Sequence, residues 1–126
     1  MHYLPQEIEV WYIIPAIRRD ISKCLIKDYN TSYEKVGKIL GVSKAAISQY
    51  MKGKRAAKIK LPEQVGPKIM RSCKLLVNEK SLTVDEINKI LNFIRDKSLP
   101  CTVCGRLREG ILEDCTEIRF KNGNYF

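Results

Sequence analysis

The stretch YEKVGKILGVSKAAISQYMKGKR, Tyr33 to Arg55, organises the reading of this chain. Val36, Leu40, Val42, Ile47 and Tyr50 recur at spacings that give two short helices a shared apolar side. The spacing predicts helices over Tyr33–Leu40 and Lys44–Lys52, joined through Gly41. Two helices that approach closely need a residue without a β-carbon at the contact, and Gly37 supplies it. The turn needs positive φ, which Gly41 takes without steric cost. Ser43 stands where a hydroxyl accepts from the first free N–H groups of the second helix. Together these positions predict a helix-turn-helix. Other amphipathic helix pairs around a glycine share part of this pattern; the distribution of charge argues for the more specific reading.

The 126 residues carry a formal net charge of +9. Between Glu34 and Lys74 lie eleven Lys or Arg and two acids, so this segment alone accounts for +9; the remainder holds twelve basic and twelve acidic residues. Charge concentrated in this way is the mark of a phosphate-facing surface. A basic membrane-surface helix would add an aromatic or leucine face, which this segment lacks. The second helix is then the one that reads base edges, with Ser43, Lys44, Ala45, Ser48, Gln49 and Lys52 outward or at its start. Gln49 suits adenine, Lys44 suits guanine acceptors, and Ala45 suits a thymine methyl. Lys54, Arg55, Lys58 and Lys60 follow on a basic connector, Gly53–Leu61, as phosphate contacts. Singly, each of these cations reads as a solvated surface charge; the cluster beside a reading helix favours phosphate.

Around this centre the chain reads as helical. Residues 7–14, EIEVWYII, are strongly apolar, and Pro15 suits the first turn of a new helix carrying Ile17, Ile21, Cys24 and Leu25 to an end near Asp28–Asn30. Thr31 and Ser32 are cap-type residues before the next helix. Beyond Pro62 and Pro67, Ile69, Met70, Cys73, Leu76 and Val77 mark another helix. Thr83 and Glu86 have capping-box spacing at the start of a last one, Thr83–Lys97, with Ile87, Ile90, Leu91 and Ile94 on its apolar face. The tail TEIRFKNGNYF has an Asn-Gly signal for a small hairpin.

No apolar run approaches the roughly 18–20 residues of a membrane helix. The start MHYLPQEIEV has no basic region leading into an apolar core, so no secretory signal and a cytoplasmic location are expected. No nucleophile–base pair or phosphate-cradling glycine loop is present, and His2 is the one imidazole, so no enzymatic activity is expected.

Five cysteines remain. Cys24 and Cys73 share apolar helix faces and read first as small core residues. Cys101 and Cys104 form a Cys-x-x-Cys pair, with Cys115 further on, and three thiols this close can grip one metal centre or switch by disulfide formation. Structural zinc wants four N or S ligands, whereas an iron–sulfur cluster takes a last thiolate from a distant position or does without it. Cys73, then Cys24, are candidates for that fourth ligand. Cluster, zinc and thiol switch all remain open on these residues.

The Tyr33–Arg55 segment resembles the helix-turn-helix of lambda-repressor/Cro-like (XRE) regulators, in which Gly-Lys often follows the reading helix, as Gly53-Lys54 does here. More of the chain is similar to a group of archaeal transcriptional regulators. They share an opening Leu-Pro-x-Glu (Leu4 to Glu7), a Tyr-x-x-Pro-Ala-Ile/Leu-Arg helix (Tyr12 to Arg18) and a reading helix ending in Ser-Gln-Tyr (Ser48 to Tyr50). Some members end in a compact motif matched by Cys101, Cys104, Arg108, Gly110, Leu112 and Cys115, here with one extra residue before the last cysteine. Gln6 stands where relatives often carry a cysteine. The resemblance implies an all-α helical bundle containing a lambda-repressor-like helix-turn-helix and a small cysteine-rich C-terminal element. With the residue pattern, the chain is expected to divide into a DNA-binding domain at 1–61, a helical connector or dimerisation region at 62–98 and a cluster-binding element at 99–126. A homodimer on double-stranded DNA is expected because such readers meet half-sites about one turn apart. The resemblance implies that it senses redox state, oxygen or iron through a 4Fe-4S or 3Fe-4S cluster at Cys101, Cys104 and Cys115, with Cys73 as the expected fourth ligand. Zinc or a thiol switch is the alternative.

Overall fold

The computed structural model describes residues 5–57 and 59–96. Within them the chain is helical and no residue is in a strand. α1 (Pro5–Ile8) runs through a π-helical turn (Glu9–Ile13) into α2 (Ile14–Tyr29), followed by α3 (Tyr33–Leu40) and α4 (Lys44–Met51). After the connector come a 3-10 turn (Glu63–Val65), α5 (Gly66–Val77) and α6 (Thr83–Asp96).

α2 is the hub, packing against α3, α4, α5 and α6. Its apolar stripe, Ile17, Ile21, Cys24 and Leu25, is buried as its periodicity predicts, but Arg19 and Ser22 are buried too. An amphipathic reading gives this helix a solvated side; the tertiary structure covers that side at Arg19 and Ser22 and leaves Lys27 and Asp28 exposed. Its end follows local rules: Asn30 turns left-handed at φ 51°. The Thr31 N–H then donates to the Leu25 carbonyl at 3.0 Å, closing the helix end.

Pro15 lies in the first turn of α2, as its residue type suggests, but the chain enters α2 already helical, from a π turn that ends at Ile13. Proline lacks an N–H and its ring crowds the carbonyl four residues back, so a widened turn at that place accommodates it inside a continuous helical run. The turn also buries Ile13 and Glu9 while leaving Val10 and Trp11 exposed. The buried Glu9 carboxylate receives two hydrogen bonds from Arg95 of α6, both 2.7 Å, which tie the start of the described chain to its end.

The expected capping box at Thr83 is not made. The Thr83 hydroxyl donates instead to the Ile39 carbonyl of α3, at 2.5 Å. Glu86 is enclosed between α5 and α6, where it accepts from Ser72 at 2.9 Å, Ser81 at 2.5 Å and Lys89 at 3.1 Å. A buried carboxylate needs several donors, and hydroxyls from neighbouring segments satisfy it better than a backbone N–H on its own helix. The α6 face Ile87, Ile90, Leu91 and Ile94 is buried as expected. No helix among the described residues is long and apolar enough to cross a membrane. The hairpin expected in the tail lies outside the described residues.

Candidate nucleic-acid interface

The α3–α4 pair is built from three local devices. Ser32 caps α3 by accepting from the Lys35 N–H at 3.2 Å, and Ser43 caps α4 by accepting from the Ala46 N–H at 3.0 Å. Gly41 carries the chain between them at φ 70°, where an L side chain is strained. Gly37 lies against the turn so closely that a β-carbon there would sit 2.7 Å from the Val42 carbonyl oxygen. Its own carbonyl accepts from the Val42 N–H at 3.0 Å, so the turn folds back onto α3 at this residue. Val36, Leu40, Ile47 and Tyr50 are buried between the helices and α2, with Val42 partly buried against them. Ala46 is buried as well, a position left unassigned by periodicity because alanine signals neither face.

Of the residues expected to face outward, Lys44, Ala45, Gln49 and Lys52 are exposed and Ser48 is half-buried. Ser43 is also exposed although its hydroxyl oxygen is used in the cap. These residues therefore share one accessible side and the N-terminal end of α4. Lys54 and Arg55 continue it on the connector, both exposed, as is Lys60 beyond them; Lys58 lies outside the described residues. The connector leaves α4 in a defined way: the Gly53 N–H donates to the Tyr50 carbonyl at 3.2 Å and the Lys54 N–H to the Gln49 carbonyl at 2.9 Å. Gly53 is left-handed at φ 72° and Ala56 at φ 55°. Ile59 and Leu61 then enter the core.

One contributor escaped the residue pattern. Arg19 of α2 is buried, and its guanidinium donates to Asp20, to the Ala56 carbonyl at 2.6 Å and to the Ile59 carbonyl at 2.5 Å. In the sequence it is one more charge between apolar positions of an amphipathic helix, and nothing local marks it as buried.

The described thiols behave as core. Cys73 is enclosed, with its Sγ directed at the Ile21 carbonyl at 3.6 Å. Burial, then the neighbouring Cys24, push its pKa far up. Cys24 lies at the edge of the same pair, its Sγ 3.4 Å from an Asp28 carboxylate oxygen, and burial raises it too. Cys73, expected as a fourth ligand, is thus enclosed between α2 and α5, and a bound metal would take it as the thiolate. Cys101, Cys104 and Cys115 lie outside the described residues. Among the described residues no three His, Cys, Asp or Glu side chains come together as a metal site requires. Compared with models of known families, with curated protein sequences and with solved structures, the chain matches none.

Proposed function

We propose that this chain is a sequence-specific DNA-binding transcription regulator in which α3 and α4 form a helix-turn-helix and α4 enters the major groove. The observation that carries the reading is the Ser43-capped α4 presenting Lys44, Ala45, Gln49 and Lys52 on one accessible side, continuous with Lys54 and Arg55. Gln49 and Lys44 have the donors and acceptors that discriminate base edges in the major groove. Lys54 and Arg55 sit where phosphates flank a docked helix and supply affinity without sequence information. Two copies on half-sites about 34–36 Å apart would read a two-fold operator.

The test is selection of binding sites from a random duplex library, followed by salt titration of the selected duplex. Gln49→Ala or Lys44→Ala should relax preference at single base positions by about 1–3 kcal/mol. Lys54→Ala or Arg55→Ala should weaken all sequences alike and lower the salt slope by about 1. If the two pairs of variants behave identically, α4 is not the reading helix.

The same proposal assigns Cys101, Cys104 and Cys115 to a redox-responsive iron–sulfur cluster, on the spacing of the thiols and the family resemblance, with zinc as the alternative. A bound cluster would supply one-electron or oxygen-sensitive chemistry at the end of the chain. Cys73, then Cys24, are the candidates for a fourth ligand, and a three-iron cluster needs neither. Anaerobic purification with iron, sulfide and zinc analysis decides the point: iron and sulfide support the cluster, and a colourless zinc-loaded protein refutes it.

A further inference from the structure

The basic connector that follows α4 is held in place by a residue far away in the chain. From Gly53 to Ala57 it borders a cleft of about 430 Å3 shared with α2 and lined by Arg19, Asp20, Lys23, Gly53, Ala57 and Ile59 among others. One end of the connector is tied to α4 by the Lys54 N–H bond to Gln49, and the other is anchored by buried Ile59 and Leu61. Between these ends Arg19 reaches across: the two protons of Nη1 go to the carbonyls of Ala56 and Ile59, while Nε is held by Asp20 at 2.8 Å. Ala56 is also left-handed without being a glycine. Such a conformation persists only where surrounding contacts impose it, and Arg19 grips that residue's carbonyl.

We infer that Arg19 is a positioning residue for the phosphate-contacting cations: by bonding the Ala56 and Ile59 carbonyls it sets the path of the connector, and with it where Lys54 and Arg55 stand relative to α4. The inference rests on the DNA-binding reading above. Arg19 itself is turned inward, buried and bonded to the two carbonyls and Asp20. Its planar fork aims several donors at once, which a lysine ammonium on a flexible stem does not reproduce. The chemistry of the partner follows from what is being aligned, which is a pair of exposed cations, Lys54 and Arg55, beside α4.

The experiment compares the full chain with Arg19→Met and Arg19→Lys, the second retaining charge and stem so that a folded variant is at hand. Three measurements are made on each: thermal melting, limited tryptic cleavage in the Lys54–Arg55 segment, and binding to a selected and a random duplex over a salt series. The expected result is faster cleavage after Lys54 or Arg55 and a salt slope lower by about 1–2. Affinity should fall by the same factor for both duplexes, with the order of preferred bases unchanged. Arg19→Lys should lie between wild type and Arg19→Met. A variant that melts lower but keeps the wild-type slope and cleavage rate makes Arg19 a fold residue only and overturns the inference while leaving DNA binding intact. Absence of salt-dependent duplex binding by the wild type removes the reading beneath it, and the inference with it.

Discussion

Gly37→Ala is the sharpest perturbation of the α3–α4 pair. In an ordinary helix this change stabilises by up to about 1 kcal/mol through helix propensity. Here the new β-carbon would lie 2.7 Å from the backbone oxygen of Val42. Carbon–oxygen contacts settle at about 3.3 Å or more, so α3 and the turn must separate by about 0.6 Å. The obstacle is backbone, held by the Val42 N–H bond to the Gly37 carbonyl, and no side-chain rotation relieves it. Overpacking of this kind costs about 1–3 kcal/mol. The balance is a net loss of about 1 kcal/mol, or about 4–8 °C in Tm for a folded unit of this size. Gly41→Ala is the matched control. Nothing lies within 4 Å of its added carbon, so only the left-handed backbone is penalised, at about 1–2 kcal/mol. Both variants therefore melt lower, but only Gly37→Ala displaces α4 and should blur base preference in the selected duplex. A Gly37→Ala protein that melts at or above wild type would refute the reasoning, because propensity would then have won over the contact.

Three further outcomes are expected. Ser43→Ala should cost about 1 kcal/mol in thermal or denaturant unfolding by freeing the Ala46 N–H at the start of α4. Arg95→Met should cost about 2–3 kcal/mol, less than for a fully buried pair because the Arg95 side chain is 38% exposed; adding Glu9→Gln should recover part of it by removing the stranded carboxylate. Burial alone would raise Glu86, but bonds from Ser81, Lys89 and Ser72 outweigh it and hold the carboxyl below its ordinary value of 4.5. Its contribution is therefore complete above that value and lost as pH falls through the lower folded one, so Glu86→Gln should flatten the acid limb of the stability profile.

The parts readable in advance are those governed by backbone chemistry within a few residues. A glycine at a close approach, a glycine at positive φ and a serine ahead of a helix each act through neighbours in the chain. Gly37, Gly41 and Ser43 accordingly do in three dimensions what their types predict. The apolar face of α6 was legible for a related reason, since period and burial share one cause; on α5 Ile69, Cys73 and Leu76 are buried as expected, but Met70 is exposed and Ser72 is buried in its stead. The errors fall where a distant partner changes the meaning of a residue. Thr83 with Glu86 signals a capping box unless Ser72 and Ser81 reach the carboxylate first.

Arg19 marks the boundary between the two kinds of knowledge. Its place on α2, its charge and its reach are properties of the local chain. That it lies buried, bonded to carbonyls 37 and 40 residues away, follows only from the connector folding back over that side of α2. Helix periodicity reports which side of a helix avoids water, whereas the identity of what covers the other side is a long-range packing outcome with no periodic signal. The amino-acid order thus suffices for the α3–α4 pair and its outward cations. The tertiary structure alone decides how the connector carrying Lys54 and Arg55 is held beside them.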